Sequence, residues 1–499
     1  MKNIVLLGGS NSVMVNGLQK GLREYANVTN LALGSSTCIQ NLFEVVKDKN
    51  IEALTNADLI VTESNINELG NSNDVKEQLS MATIFKNLYY LYGVLYKYQK
   101  PVCILVLPFK GNHIIINNMH RFLANYFGHN IVDVQRYYNT NLIAEFGNKF
   151  GAHQLAVINR NIGKEIAKNI DCFKVSNKNL DINLPEFKIV TPENMQRNGN
   201  FKIFNAKNSV FDEVIYRLEK GNNLSFKGYE NYEIIGIHAW NLDVNGEIAK
   251  LSFADSLKRN GALHLKSNKI SVVKQTGSLN QFCEIQAEPM IDDKMVAKFN
   301  DENLSNTEFY HAAFSWYPDS ISLPYFDLIA FFLCKPNPKM KLFDLSVIPT
   351  DIDIEIDKDI DRSYLIPNIV FFKDSMEFID DYIGHLYPNI VKHIDSVLTP
   401  QIIKKTEAQI LSQLNNNTPQ IQPSMQLSLE AENKILKDKI KELETNYQKA
   451  IKVKNHLSYK LGQALIKANK NWHKGGYIKF IFEAMKIKKE HKNKDKSNI

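Results

Sequence analysis

The feature that most constrains this chain is a rhythm in its first third, where short apolar runs alternate with amphipathic stretches. Ile4–Leu7, Asn27–Leu33, Ala57–Thr62, Pro101–Pro108 and Asn130–Val134 read as strands. Val15–Tyr25, Ile39–Asp48, Asp74–Lys97, Asn117–Tyr126 and Gln154–Lys168 read as the helices between them. Strands that stay apolar along their length are covered on both faces, which marks a parallel sheet between helical layers. Five such strands predict a flavodoxin-like three-layer α/β sandwich over residues 1–172.

The period changes after that. Over residues 185–350, β-rich runs are Leu224–Lys227, Tyr232–Trp240, Ile248–Phe253, Ala262–Leu265, Ile270–Lys274, Phe282–Gln286, Leu328–Cys334 and Leu342–Val347. Turn pairs such as Asn245-Gly246 and Asn260-Gly261 separate them, which predicts an all-β sandwich or jelly-roll. Residues 365–412 turn helical and 413–424 form an Asn- and Pro-containing linker. Over 425–456, Leu429, Leu436, Leu443 and Ala450 repeat every seventh residue, with Asn433, Ile440 and Tyr447 at the alternate positions. That is a coiled-coil pattern, and an Asn at such a position selects register, so a parallel homodimer is expected. A chain of 499 residues is itself long enough for two or three domains.

Charge and cysteine use exclude several classes. The net charge of +6 is uneven: residues 424–499 hold 18 Lys against 8 acids, so the remaining 423 residues are mildly acidic. A mildly acidic body argues against a nucleic-acid groove. The five cysteines form no C-x-x-C pair, so free thiols in a reducing compartment are expected. No run approaches the roughly 18 apolar residues of a membrane span, and the first strand is too short for a signal peptide. The default is a bacterial-type cytoplasmic protein. The tail, 457–499, mixes large apolar residues with lysines after Gly475-Gly476, as in Tyr477–Lys489. That composition suits a helix lying on an anionic membrane surface, which predicts peripheral attachment at the inner face of the cytoplasmic membrane.

Chemistry is expected at the carboxyl ends of the first strands, where open α/β sheets place ligands. The first strand runs into Gly8-Gly9-Ser10-Asn11-Ser12 and then a helix. Ser10 is there a candidate nucleophile, although a phosphate-cradling loop or a plain helix cap fits the same residues. The second strand ends at Leu33-Gly34-Ser35-Ser36, and the third at Glu63-Ser64-Asn65-Ile66-Asn67-Glu68. Gly151-Ala152-His153 opens the last helix of the region. Ser10 with His153 supplies a nucleophile and a general base. The Ser10 and Gly34 N–H groups with the Asn65 amide could form an oxyanion hole.

This constellation resembles the SGNH (GDSL-type) hydrolase family, whose blocks supply Ser, Gly, Asn and His in this chain order over about residues 1–170. The resemblance implies that Ser10 is the nucleophile, His153 the base, and Gly34 and Asn65 oxyanion donors. The chain departs from the family at three places. Gly9 stands where the block-one acid belongs, Glu63-Ser64-Asn65-Ile66 replaces Gly-x-Asn-Asp, and Phe150 stands where an acid precedes the His. A Ser-His dyad is therefore expected rather than a triad.

The tail segments Leu457-Ser-Tyr-Lys-Leu-Gly-Gln-Ala-Leu-Ile-Lys467 and Gly475-Gly-Tyr-Ile-Lys479 are similar to the C-terminal ends of bacterial capsule and surface-glycan transferases. Together the two resemblances imply an esterase or O-acyltransferase that adds or removes a small ester on a surface polysaccharide or its precursor. Its partners would be that glycan and a small donor. Transfer of a phosphoramidate-type group, a degenerate glycan-binding scaffold and a glycosyltransferase are the other readings. Trp240 and Trp316, each near Asn or Asp, are candidates for stacking on sugars or for plain core. The acids from Asp351 to Asp361 alternate with isoleucines and predict a half-buried edge strand rather than a metal site. No cofactor is implied.

Overall fold

Five strands lie side by side in one parallel sheet: β1 (Lys2–Leu7), β2 (Ala26–Asn30), β3 (Leu59–Thr62), β4 (Val102–Val106) and β5 (Asn130–Asp133). Their order is β2-β1-β3-β4-β5, every pair parallel. This is the doubly wound arrangement expected from the sequence, with the strand order reversing beside β1. The structure is a computed structural model that describes residues 1–72, 79–109, 114–144, 146, 151–308, 320–393 and 404–406. One compact unit spans Met1–Tyr382 and a second spans Ile383–Ile499.

The helices of this part are α1 (Ser10–Val13), α2 (Leu18–Arg23), α3 (Cys38–Val46), α4 (Ile51–Thr55), α5 (Asn65–Ser72), α6 (Met81–Lys97), α7 (Ile114–Phe127), α8 (Val134–Thr140) and α9 (Ala156–Lys168). The single helix expected over Val15–Tyr25 is instead α1 and α2, with a break between them. Val5, Leu7, Ile60 and Ile104 pack one face of the sheet, and Ile4, Leu6, Leu59 and Leu105 pack the other. That two-sided burial is why these strands are continuously apolar.

Twelve further strands follow: β6 (Glu186–Val190), β7 (Gln196–Asn198), β8 (Lys202–Lys207), β9 (Asp212–Leu218), β10 (Asn223–Ser225), β11 (Glu233–Trp240), β12 (Arg259–Lys266), β13 (Ser271–Gly277), β14 (Asn280–Glu284), β15 (Val296–Phe299), β16 (Ile321–Ser322) and β17 (Phe326–Lys335). They form two six-stranded, mostly antiparallel sheets, β13-β12-β15-β10-β7 with β16 beside β12, and β14-β11-β17-β9-β8 with β6 beside β17. Leu263, Leu265 and Ala297 of one sheet share a core with Ile237, Cys283 and Phe331 of the other. The outer face of the second sheet packs against α3, where the Phe43 ring lies 4.9 Å from Phe282 and 5.5 Å from Phe332. A continuous apolar core thus joins the parallel sheet and the β part within one unit.

Three expected strands are not formed. Ile248–Phe253 falls between a turn and a short helix. Asp243 Oδ1 accepts from the N–H groups of Asn245 and Glu247, and Ser252 Oγ caps a helix over Phe253–Leu257. In Leu342–Val347 the Asp344 carboxylate accepts from Ser346 N–H and starts a 3-10 turn. Local side-chain bonds of this kind compete with strand pairing. The acidic run from Asp351 is an irregular strap along α7. Asn118 Nδ2 donates to the carbonyls of Pro349 and Ile352, and its Oδ1 accepts from Ile354 N–H. Asn125 does the same with Glu355 and Asp357. Two helix asparagines therefore take the backbone groups a neighbouring strand would have taken.

A helix covers Ile369–His393, within the stretch expected to be helical, and its Phe372 ring packs 5.4 Å from Tyr138. The linker 413–424, the coiled-coil pattern 425–456 and the basic tail 457–499 lie outside the described residues. Among those described, no helix is long and apolar enough to cross a membrane.

Candidate active site

Ser10 is the first residue of α1, directly beyond the end of β1, and it is partly exposed. His153 lies just before α9, and its imidazole is exposed. The two come from positions 143 residues apart, yet Ser10 Oγ is 2.8 Å from His153 Nε2. That is the distance for a hydroxyl donating into a neutral imidazole nitrogen, the starting geometry of base-assisted attack.

Close helix packing sets this approach. A Cβ added to Gly21 of α2 would fall 1.9 Å from the Arg160 carbonyl, and one added to Gly163 of α9 would fall 2.4 Å from that of Leu18. Only glycine lets α2 and α9 touch through their backbones, which draws the start of α9 toward α1. Asn11 Nδ2 then donates to the Ala152 carbonyl at 3.0 Å, and Asn159 Nδ2 donates to Asn11 Oδ1 at 3.1 Å. Gln154 is buried and fixes the other flank, accepting from Tyr138 Oη and donating to the Pro108 carbonyl.

Beneath the nucleophile lies Glu63. Its Oε1 accepts from Gly9 N–H at 2.9 Å, Ser12 N–H at 3.2 Å and Ser12 Oγ at 2.9 Å. Burial pushes this carboxyl above its ordinary value, against the pull of those bonds. The turn that presents Ser10 is therefore pinned to the end of β3 from below. In the sequence Glu63 is visible only as a residue at the end of the third strand. Its position at a buried strand end was the one available clue.

The oxyanion side corrects one expectation. Asn65 is fully buried, and Nδ2 donates to the Leu107 carbonyl at 2.8 Å and to Asn117 Oδ1 at 3.0 Å. Its Oδ1 accepts from Leu107 N–H. Both amide hydrogens are used, so Asn65 braces the residue just beyond β4 against α7 and has no donor left for an oxyanion. Asn67, two residues on, lies against Gly9 of the turn that presents Ser10. Its Nδ2 donates to the Ser36 carbonyl at 2.7 Å and lies 1.9 Å from where a Cβ on Gly9 would be. A side chain at position 9 would meet the Asn67 amide, which fills that space. Gly34 is adjacent, since a Cβ built on it would lie 4.0 Å from Ser10 Cβ. Neither Ser10 N–H nor Gly34 N–H donates to another described group.

Comparison with known proteins adds the following. Residues 424–493 match a sequence family described as a domain of unknown function (DUF8374). No curated protein sequence matches. Among solved structures, the acetyl xylan esterase AlAXEase is 17% identical over 32% of this chain and 96% of its own, with a TM-score of 0.27. TesA is 15% identical over 34% of this chain and 97% of its own, with a TM-score of 0.27. A Parabacteroides merdae protein whose structure is described as that of a putative GDSL-like lipase is 11% identical over 34% of this chain and 94% of its own, with a TM-score of 0.26.

The aromatic candidates separate. Trp240 is 4% exposed and part of the core around Phe282, so burial denies it an open face for stacking on a sugar. Trp316, like Phe150, lies outside the described residues. Among the described residues no hydrogen bond to His153 Nδ1 is formed.

Proposed function

We propose that the chain is a serine esterase or O-acyltransferase working through Ser10 and His153. The observation that carries this is the 2.8 Å approach of Ser10 Oγ to His153 Nε2 beside unengaged N–H groups of Ser10 and Gly34. As Oγ attacks an ester carbonyl, its proton passes to Nε2. The oxyanion that forms is met by the N–H groups of Ser10 and Gly34, with Asn67 Nδ2 as the third donor in place of Asn65. Collapse breaks the bond to the leaving oxygen, which takes the proton from Nε2. The acyl-serine is then attacked by water or by a sugar hydroxyl, whose proton passes to Nε2 and returns to Oγ as the acyl group departs. Hydrolysis and transfer differ only in that acceptor.

The substrate class we propose is a small ester on a surface polysaccharide or its precursor. It is supported by the similarity of residues 457–479 to surface-glycan transferase tails and by the lysine-rich composition that suits an anionic membrane face. Homodimerisation through residues 425–456 belongs to the same proposal.

The test is labelling of the full chain with a fluorophosphonate probe, with the modified residue mapped by mass. Labelling of Ser10 that disappears in Ser10→Ala is expected. Folded protein that takes up no probe at Ser10 would remove the reading. A glycan-binding scaffold is then the reading left, favoured by the lack of a carboxylate bonded to His153 among the described residues.

A further inference from the structure

Gly34 lies across from Ser10 in the loop Leu33–Thr37, between β2 and α3. One end of the loop is tied to the parallel sheet, where Leu33 N–H donates to the Gly8 carbonyl at 3.0 Å. The other end is tied at three successive residues. The Ser36 carbonyl accepts from Asn67 Nδ2 at 2.7 Å, Thr37 Oγ1 donates to Glu284 Oε1, and Cys38 N–H donates to Glu68 Oε1 at 2.7 Å. Asn67 and Glu68 belong to α5 of the same α/β part. Glu284 belongs to β14, 247 residues further along the chain.

The Thr37 bond is unusual for its place. A hydroxyl on the residue before a helix ordinarily accepts from an N–H of the first turn. Thr37 precedes α3 and makes no such cap. Its hydroxyl is turned from its own helix to an acid of the β part. Thr37 and Glu284 are each 1% exposed, so the bond is sealed from water and costly to break. Ser35 adds a second observation. Its φ is +60°, a left-handed conformation that persists in a residue with a Cβ only where the surroundings impose it. The ties on either side of Ser35 are those surroundings, and they hold the peptide units next to Gly34.

The β part is built to deliver this acid. Successive residues of β14 face opposite ways. Cys283 joins the core between the two β sheets, while the Phe282 ring packs 4.9 Å from Phe43 of α3. Glu284 is on the Phe282 side, so it comes to the start of the helix near whose other end Phe43 stands. Just beyond β14, Gln286 Oε1 accepts from Ser80 N–H at 2.7 Å, and Glu288 pairs with Lys86 of α6. The strand is thus fixed against both α3 and α6.

We propose that Glu284 is a positioning residue, a role that rests on the reading of Ser10 as nucleophile: through Thr37 it holds the loop carrying the Gly34 oxyanion donor, so that the β part completes the active site. Glu284 touches no reacting atom. Its effect falls on the transition state, because the Gly34 N–H is needed where negative charge develops.

The test compares the full chain with its Glu284→Ala, Glu284→Gln, Thr37→Val and Thr37→Ser variants. Fluorophosphonate labelling of Ser10 should slow about tenfold or more in Glu284→Ala and in Thr37→Val, the scale of a misplaced reacting group. Glu284→Gln keeps the acceptor and Thr37→Ser the donor, so both should label at close to the rate of the unaltered chain. With p-nitrophenyl acetate the loss should fall on kcat and leave KM unchanged, which a merely structural bond would not require. Amides of residues 31–42 should exchange hydrogen faster in the disrupting variants, and those of 156–168 should not change. Should Glu284→Ala fail to fold, Thr37→Val breaks the same bond from the loop side. Labelling at the unaltered rate in the disrupting variants overturns the role of Glu284 alone. So does a loss that falls on KM, unchanged exchange over 31–42, or conservative variants as slow as the disrupting ones. A folded, unaltered chain that takes up no probe at Ser10 removes the nucleophile and this role with it.

Discussion

Asn11 Nδ2 donates to the backbone carbonyl of Ala152 at 3.0 Å, so the residue after the nucleophile is tied to the residue before the imidazole. The distance between Ser10 and His153 is therefore fixed by their neighbours as well as by their own bond. Asn11→Ala removes the tie while leaving both reacting groups. The rate of fluorophosphonate labelling at Ser10 should fall roughly 10- to 100-fold, as small misplacements of reacting groups do. Asn11→Asp keeps an acceptor for Asn159 but not the donor to Ala152, and should be similarly slow. A variant of normal rate in a stopped-flow labelling assay would show that the tie does not position the pair.

His153→Ala removes the base. Labelling of Ser10 should slow by about 10²- to 10⁴-fold, the usual worth of a positioned general base. Circular dichroism should be unchanged, because the ring is exposed.

An acid at position 9 is excluded by packing. A side chain at position 9 meets Asn67 Nδ2 at 1.9 Å, so Gly9→Asp should destabilise the turn and lower hydrolysis of p-nitrophenyl acetate. Asn67→Ala should cost roughly 10²- to 10³-fold in kcat, the scale of losing one oxyanion donor. Asn65→Ala should instead lower the unfolding midpoint, since it breaks three hydrogen bonds, two to Leu107 just beyond β4 and one to Asn117 of α7.

Glu68 is fully buried, and burial pushes its carboxyl up to about 8 from an ordinary 4.5. Its Oε1 accepts from Cys38 N–H at 2.7 Å, while Oε2 has no hydrogen-bond partner among the described residues. Between those two values the folded state holds a proton that the unfolded state releases. Stability should therefore fall as pH rises from about 4.5 to about 8. Glu68→Gln keeps an acceptor for Cys38 and removes the titration. Thermal midpoints measured against pH should show a shallower decline in that variant, and an unchanged slope would assign the effect elsewhere.

In the β part, Arg217 and Asp327 form a buried two-pronged pair, with Nε–Oδ1 and Nη2–Oδ2 both at 2.7 Å. Asp327→Ala leaves the guanidinium buried without its counter-charge. Denaturant unfolding should show a loss of about 3–5 kcal/mol.

The strands of the parallel sheet were legible because burial on both faces leaves a continuous apolar run that needs no knowledge of partners. Ser10 and His153 were legible because their types and their places at element ends carry the chemistry. The sequence alone also determined that Gly9 is no acid. It could not say which amide stands beside Gly9. Asn65 and Asn67 differ by two positions in one helix and point in different directions. Only the packing of β4 and α7 decides that Asn65 is consumed as a brace. The acidic strap was misread for the same reason. Alternation in Asp351–Asp361 describes a half-buried chain, but whether a strand or the side chains of Asn118 and Asn125 take its backbone groups is settled by a helix more than 200 residues earlier. Local patterns fix which groups must be buried or paired. The identity of the partner is a property of the folded whole, because hydrogen bonds are short-ranged and the chain that supplies them is distant in sequence.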